Sequence, residues 1–371
     1  KAQQEGAFIH SNSWGAPNSN GRYDNFTVQA DTYVFNNMDF LPVFAAGNDG
    51  VDGNKDGVID EGSLSSPGSA KNVLTVGASK NYLLQGGIQR KLADLRGGKE
   101  KWGVEPLGSS LLSEDGRGMA MFSSRGPAAD GRIKPEVVAP GTNIVSARNT
   151  HPKADPKASW GVFNDHYLFM GGTSMSTPLV SGAMTVIRGY LQQKLGAVPS
   201  AALLKAAVSN TAFDLFPGQF GARAQGQEQP VARPNNHQGW GRVALDRMIG
   251  VESILYFDER AGLRTGEAKS FVVNTKGGAP LAVTLAWSDA PGTASAQKAL
   301  VNDLDLTVTA PNGEVIQAFG KTTKDSTNNM EQIDISAPQA GVYKVEVKAA
   351  SVPQGKSGAQ PFALVISGVA N

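Results

Sequence analysis

The hydrophobic pattern of this chain changes kind near Gly250, and no single fold class accommodates both halves. Before that point, runs of consecutive apolar residues alternate with helix-like segments. Leu41-Pro42-Val43-Phe44-Ala45-Ala46 and Val73-Leu74-Thr75-Val76-Gly77-Ala78 show little alternation, as strands of a parallel sheet covered on both faces do. Phe26, Ala30, Tyr33 and Val34 recur at helical spacing and predict one apolar helix face. The stretch after Ser174 is apolar nearly all round until Arg188, which predicts a central, buried helix. Ser200 is placed to cap a further helix with Leu203, Leu204, Ala207 and Val208 inward. Beyond Gly250 the segments become short and alternating, at 270–273, 281–287, 304–309 and 343–347. Turn signals such as Lys276-Gly277-Gly278 and Pro311-Asn312-Gly313 separate them. The expected fold is therefore α/β, a parallel-sheet core over residues 1–251, followed by an antiparallel β-sandwich, jelly-roll-like, over 252–371. Residues 86–118 read as a long surface insertion.

Composition removes several function classes. The formal charge of +1 gives no pull toward nucleic acid or an anionic membrane surface. No apolar run approaches the roughly 20 residues that span a bilayer. The absence of cysteine excludes disulfides and thiolate metal sites.

Two runs carry chemistry on their own terms. In Gly171-Gly172-Thr173-Ser174-Met175-Ser176-Thr177-Pro178, a serine stands at the mouth of the apolar helix. Unpaired N–H groups and the positive dipole end stabilise negative charge there. A serine so placed either caps the helix or attacks a carbonyl while neighbouring donors hold the oxyanion. Asp52-Gly53-Asn54-Lys55-Asp56-Gly57-Val58-Ile59-Asp60-Glu61 has oxygen ligands at positions 1, 3, 5 and 9, a carbonyl (Val58) at 7 and glycine at 6. That spacing describes a calcium loop. Position 12 is Ser63 rather than glutamate, so Asp60 or Glu61 would complete the shell. The other reading is a solvated acidic turn.

The serine run resembles the nucleophile motif of the subtilisin-like serine proteases, the subtilases. Ser11-Asn12-Ser13-Trp14-Gly15, Ala45-Ala46-Gly47-Asn48-Asp49-Gly50, Phe122-Ser123-Ser124-Arg125-Gly126-Pro127 and Ala139-Pro140-Gly141-Thr142 are similar to further landmarks of that family, in the family's order. The resemblance covers about Ser11 to Gly250. The remainder, with Trp287-Ser288-Asp289-Ala290-Pro291 and Val301-Asn302-Asp303-Leu304-Asp305-Leu306, is similar to the C-terminal β-domain of the oxidatively stable alkaline subtilases.

The resemblance implies Ser174 as nucleophile and Asn48 as oxyanion donor. Ser13, Trp14 and Gly15 would pair with an extended substrate, and Ala45, Ala46, Gly47 and Ser65 would line the primary pocket. Asp289, Asp303 and Asp305 would form a second calcium site, approached by residues 328–331. The implied activity is that of a secreted, extracellular serine endopeptidase of broad specificity, working on proteins and peptides through an acyl-enzyme. The family's Asp-Ser/Thr-Gly and His-Gly-Thr-His runs are missing, and none of the four histidines is followed by glycine. The expectation is an N-terminally truncated subtilase, inactive alone, whose missing N-terminal fragment is a partner. A kexin-like processing protease and a non-catalytic binding or scaffold protein are the alternatives.

Overall fold

The computed structural model describes residues 1–151, 153 and 159–370. Four strands make the parallel sheet: β1 (Ile9–Asn12), β2 (Leu41–Ala45), β3 (Leu74–Ser79) and β4 (Val137–Pro140), in spatial order β1-β2-β3-β4. β2 and β3 are buried at every position, which explains their unbroken apolar runs. β1 pairs only with β2 and leaves its other edge open among the described residues. Helix α1 (Asn25–Asn36) connects them, capped by the Asp24 carboxylate, which accepts from the N–H groups of Phe26 and Thr27. A short helix α2 (Gly98–Trp102) follows β3. Three antiparallel strands, β5 (Ile144–Ala147), β6 (Gly161–Val162) and β7 (Tyr167–Met170), precede the long helix α3 (Thr173–Leu195). α3 packs across all four parallel strands, and α4 (Ala201–Asn210) follows it.

Three expectations are corrected. The inward face of α1 is Thr27, Asp31 and Val34, while Phe26 and Tyr33 are exposed. Polar partners decide this: Asp31 turns inward to accept from the Tyr23 hydroxyl at 2.7 Å and the Asn72 N–H at 2.8 Å. α3 is one-sided: Val180, Met184, Ile187 and Leu191 face the sheet, and Leu179 and Val186 are exposed at 45% and 51%. Residues 86–118 are no mere surface insertion, because Leu92, Trp102, Leu107 and Leu112 form an apolar cluster with Ile59, Met121 and Phe122.

The C-terminal strands form two antiparallel sheets. β8 (Ile254–Leu263), β10 (Leu281–Ala286), β13 (Met330–Ile335) and β15 (Gln360–Ser367) run in the order β13-β10-β15-β8. β9 (Ala268–Thr275), β11 (Asp303–Thr309), β12 (Val315–Gln317) and β14 (Gly341–Ser351) run in the order β12-β11-β14-β9. Val283, Leu285, Leu304, Leu306, Val308, Val345 and Val347 meet in the core between them. All ten residues of α4 are buried, because β10 and β15 cover the side that the parallel-sheet core leaves open. No helix among the described residues is long and apolar enough to cross a membrane.

Candidate active site

Ser174 does not cap α3. Gly172 holds the cap position with φ 133°, and Ser174 is the second helical residue. The cap comes from elsewhere in the chain: Asn48 Oδ1 accepts from the Thr173 N–H at 2.9 Å and the Thr173 hydroxyl at 3.1 Å. Asn48 stands just past the C-terminal end of β2, where open parallel sheets place their sites. The φ of 133° at Gly172 is one that residues with side chains rarely adopt, so the turn that brings Asn48 to the helix start calls for glycine. Asn48 and Ser174 thus share one site across 126 residues.

A proline ties a third element to it. Pro178 has no N–H, so the Ser174 carbonyl lacks its helical donor. The Ser13 hydroxyl supplies one at 2.9 Å, and the Ser174 hydroxyl donates back to the Ser13 carbonyl at 3.3 Å. The end of β1 is thereby pinned to the start of α3.

No histidine among the described residues hydrogen-bonds Ser174. His10 pairs with Asn12 Oδ1 at 3.0 Å, and His151 accepts from the Lys153 N–H. His166 lies exposed in the β6–β7 turn, its N–H given to Asn164. His237 is buried near Arg125, and burial pushes its imidazole down to about 3, which leaves it neutral.

The proposed substrate residues converge in part. A Cβ on Gly15 would come within 2.9 Å of Ser65 Cβ, and one on Gly47 (φ 112°) within 2.7 Å of Ser124 Oγ. The Ala16 N–H donates to the Ser66 carbonyl at 2.7 Å, and the Ser65 N–H to that of Ala46 at 2.8 Å. Trp14 is 55% exposed, edge-on to Phe44. Ala45 is 4% exposed, and Ala46 sits in a closed cluster with Leu64 and Ala128. The two alanines therefore back the site instead of lining an open slot.

The acidic loop curls on itself. Asp52 accepts from the N–H groups of Asp56 and Gly57, both at 3.1 Å, Asn54 from Asp56 at 3.0 Å, and Asp56 from Val58 at 2.9 Å. Asp60 accepts from Gly53 at 2.8 Å. Glu61 turns away to the Asn236 amide at 3.1 Å and does not join the loop.

In the sandwich, Asp303 and Asp305 share a neighbourhood with Asp325 and Glu331. Burial, with Asp305 adding repulsion, pushes Asp303 up to about 6, and Glu331 is pushed well up by burial. Glu331 Oε1 and Asp303 Oδ1 have no hydrogen-bond partner, while Asp305 pairs with Lys324 at 2.5 Å. Asp289, expected with them, stands apart. Its carboxylate accepts from Lys71 Nζ at 2.6 Å and from the N–H groups of Val301 and Asn302. Among the described residues no three acidic or histidine side chains converge on one metal position.

Sequence reasoning missed two supports. Trp102 Nε1 donates to the Gly50 carbonyl at 3.0 Å, bracing the turn that carries Asn48. A side chain at Gly171 would run into the Trp160 ring, so glycine lets that ring pack beside the turn that leads to Ser174. The spacing of tryptophans in a sequence carries no signal for either contact.

A model of the subtilase family matches residues 1–241, and one of the bacterial pre-peptidase C-terminal domain matches residues 267–349. The chain belongs to the subtilase family. Its curated relatives include the serine protease/ABC transporter B family protein tagB of Dictyostelium discoideum, 27% identical over 98% of this chain and 24% of that protein. The serine protease AprX of Bacillus subtilis is 31% identical over 42% of this chain and 26% of its own length. The minor extracellular protease Vpr of the same species is 34% identical over 45% and 18%. The chain spans about a quarter or less of the length of these relatives. Among solved structures, the prenylagaramide maturation protease PagA aligns with a TM-score of 0.41 and 22% identity over 66% of this chain and 62% of that one.

Proposed function

We propose that this chain carries the nucleophile and oxyanion site of a serine endopeptidase of broad specificity. The carrying observation is the Asn48–Thr173 hydrogen bond, which sets a side-chain amide beside Ser174 at the positive end of a 23-residue helix. Ser174 Oγ attacks the scissile carbonyl of a protein or peptide. Asn48 Nδ2 and the Ser174 N–H stabilise the oxyanion, the scissile C–N bond breaks with the amine leaving as it takes up a proton, and water hydrolyses the acyl-enzyme. The strand at Ser13, Trp14 and Gly15 binds extended backbone by hydrogen bonds, which tolerate many side chains.

The general base and its orienting acid come from a segment outside these 371 residues. It pairs with the open edge of β1 and covers Leu179 and Val186, both apolar and exposed on α3. Alone, the chain is inactive. That no histidine meets Ser174 also supports the second reading, a non-catalytic scaffold on a subtilase frame. The extracellular relative Vpr supports secretion as part of the proposal.

Calcium is proposed at Asp52, Asn54, Asp56, Val58 and Asp60, whose donors are all oxygen and whose loop turns at Gly57 with φ 85°. It is also proposed at Asp303, Asp305 and Glu331, where Asp303 Oδ1 and Glu331 Oε1 have no hydrogen-bond partner and Lys324 is the cation that calcium would displace from Asp305. Binding at either place would require the carboxylates to draw together, and binding at residues 52–60 would serve to order the loop beside Asn48.

The test assays the chain on casein, alone and fused behind a subtilase segment carrying the Asp-Thr-Gly and His-Gly-Thr-His runs. Turnover should appear only in the fusion and vanish with Ser174→Ala. Asn48→Ala should cost about 10²–10³ in kcat. Fusion activity that survives Ser174→Ala would overturn the reading, and a fusion that folds but never turns over would favour the scaffold.

A further inference from the structure

The two halves of the molecule are joined by a lysine with no access to water. Lys71 and Asp289 are both 0% exposed and pair at 2.6 Å. An ammonium in such a place must have every proton matched. Lys71 Nζ meets this with Asp289 Oδ2 and the carbonyls of Ala290 and Ala299, each at 2.6 Å. The next residue is gripped as well. Asn72 Nδ2 donates to the Asp289 carbonyl at 2.8 Å, and Asn72 Oδ1 accepts from the Asp289 N–H at 2.8 Å. Asn329 Nδ2 donates to the Lys71 carbonyl at 3.0 Å. Residues 71–72 are therefore held by three separate stretches of the sandwich, through both side chains and the Lys71 carbonyl.

Six residues upstream, the same segment forms the wall of the candidate substrate site. Ser65 and Ser66 pair with Ala46 and Ala16, and Ser65 lies against Gly15 and Gly47. Every residue from Leu64 to Lys80 is buried. A segment packed on all sides cannot absorb a displacement at one end.

A second path runs parallel to the first. The sandwich loop after Asp289 donates from the Ser295 N–H to the Tyr23 carbonyl at 2.6 Å and from the Gly292 N–H to the Tyr23 hydroxyl at 3.1 Å. Two residues before Tyr23, the Gly21 N–H donates to the Leu64 carbonyl at 2.8 Å, and Ser19 Oγ accepts from the Ser66 N–H at 2.7 Å. Both paths end at residues 64–66.

We propose that the β-sandwich sets the shape of the substrate-binding wall at Ser65 and Ser66, with Lys71 and Asp289 as the positioning residues. This rests on the reading of Ser65 as a substrate contact. The sandwich is then more than a stabilising appendage: it is a specificity element acting on a wall built entirely from the other half of the molecule.

The test uses the whole chain. Hydrogen exchange at the Ala16, Ser65 and Ser66 amides is compared in Asp289→Asn and in Val345→Ala, a sandwich-core variant far from the seam. Exchange is read at temperatures equally far below each melting point. The three amides should exchange about tenfold faster or more in Asp289→Asn, a change of about 1.4 kcal/mol in local opening, and be unmoved in Val345→Ala. If Asp289→Asn does not fold, Asn329→Ala loosens the same grip and should give a smaller rise at the same amides. Binding of the product peptide N-succinyl-Ala-Ala-Pro-Phe free acid, followed by NMR, should weaken in Asp289→Asn and not in Val345→Ala. Equal exchange at the three amides in both variants overturns the coupling. Faster exchange in Asp289→Asn with no peptide binding by the unsubstituted chain leaves the coupling standing and overturns the pocket reading instead.

Discussion

The two sheets of the sandwich have the same strand count and opposite surroundings. In the β12-β11-β14-β9 sheet, burial alternates along β9 and β14: Phe271, Val273, Tyr343, Val345 and Val347 are inside, while Val272 and Val342 are 71% and 57% exposed. In the β13-β10-β15-β8 sheet, β10 is buried at all six positions and β15 at six of eight. Its inner face is Leu281, Val283, Leu285, Leu364 and Ile366, and its outer face is Ala282, Thr284, Ala286, Ala363 and Val365. The outer residues are small because a helix lies on them. α4, which packs on β10 and β15, is itself rich in small residues, with Ala201, Ala202, Ala206 and Ala207 all buried. One sheet ends the molecule, and the other is an internal layer shared by two cores.

The largest effect expected from this difference comes from one charge placed on each outer face. Thr284→Lys puts an ammonium at a position 0% exposed, between Asn210 and Gln332, and should cost more than about 4 kcal/mol or abolish folding. Val272→Lys, on the open face, should stay within about 0.5 kcal/mol. Urea titrations of the two variants measure it. Similar losses in both would mean that the two faces are equivalent and that the comparison fails.

A smaller effect isolates the polar bond inside the layer. Asn210 at the end of α4 donates through Nδ2 to the carbonyls of Ala282 and Val365 and to the Thr284 hydroxyl, at 3.0–3.2 Å. Asn210→Ala strands those acceptors away from water and should cost about 1–3 kcal/mol. Asn210→Asp should cost at least as much, since it replaces the donor with an acceptor. A loss no larger than that of a surface substitution would show that water reaches this contact.

How much of this was legible depends on what each residue type reveals alone. Leu and Val at alternate positions announced the strands and their inner faces, because only burial between sheets explains that alternation. Ala282, Thr284 and Ala286 did not announce a buried outer face, since small residues suit solvent and a close helix equally. α1 misled for a related reason. Phe26 and Tyr33 look like an apolar stripe, yet Asp31 faces inward because partners at Tyr23, Lys71 and Asn72 await it. The Asp289 carboxylate likewise looked like a cation ligand, and its partner proved to be a lysine 218 positions away. The helix start at Gly172-Thr173-Ser174 was legible because glycine, serine and proline there answer local demands of helix geometry, while the role of Ser174 rested on resemblance. The Asn48 contact rested on resemblance, since nothing local in Gly47-Asn48-Asp49 points to residue 173.

The mildest test concerns the start of α4, where the helix is capped and tethered by one side chain. Ser200 Oγ accepts from the Leu203 N–H at 3.0 Å and donates to Asp258 Oδ1 of β8 at 2.7 Å, while the Ser200 N–H donates to Asp258 Oδ2 at 2.9 Å. Ser200→Ala removes the cap and one of the two bonds to Asp258, leaving the backbone bond in place. The expected loss is about 1 kcal/mol, the usual cost of an N-cap serine, and Ser200→Gly should lose less of the cap term. Asp258→Asn keeps an acceptor for the hydroxyl while removing the charge. If the tether to β8 matters beyond the cap, Ser200→Ala and Asp258→Asn should be non-additive in the double variant, since the two side chains touch. Strict additivity in thermal melts would mean that α4 is held by its cap and its apolar faces alone, and that β8 merely lies beside it.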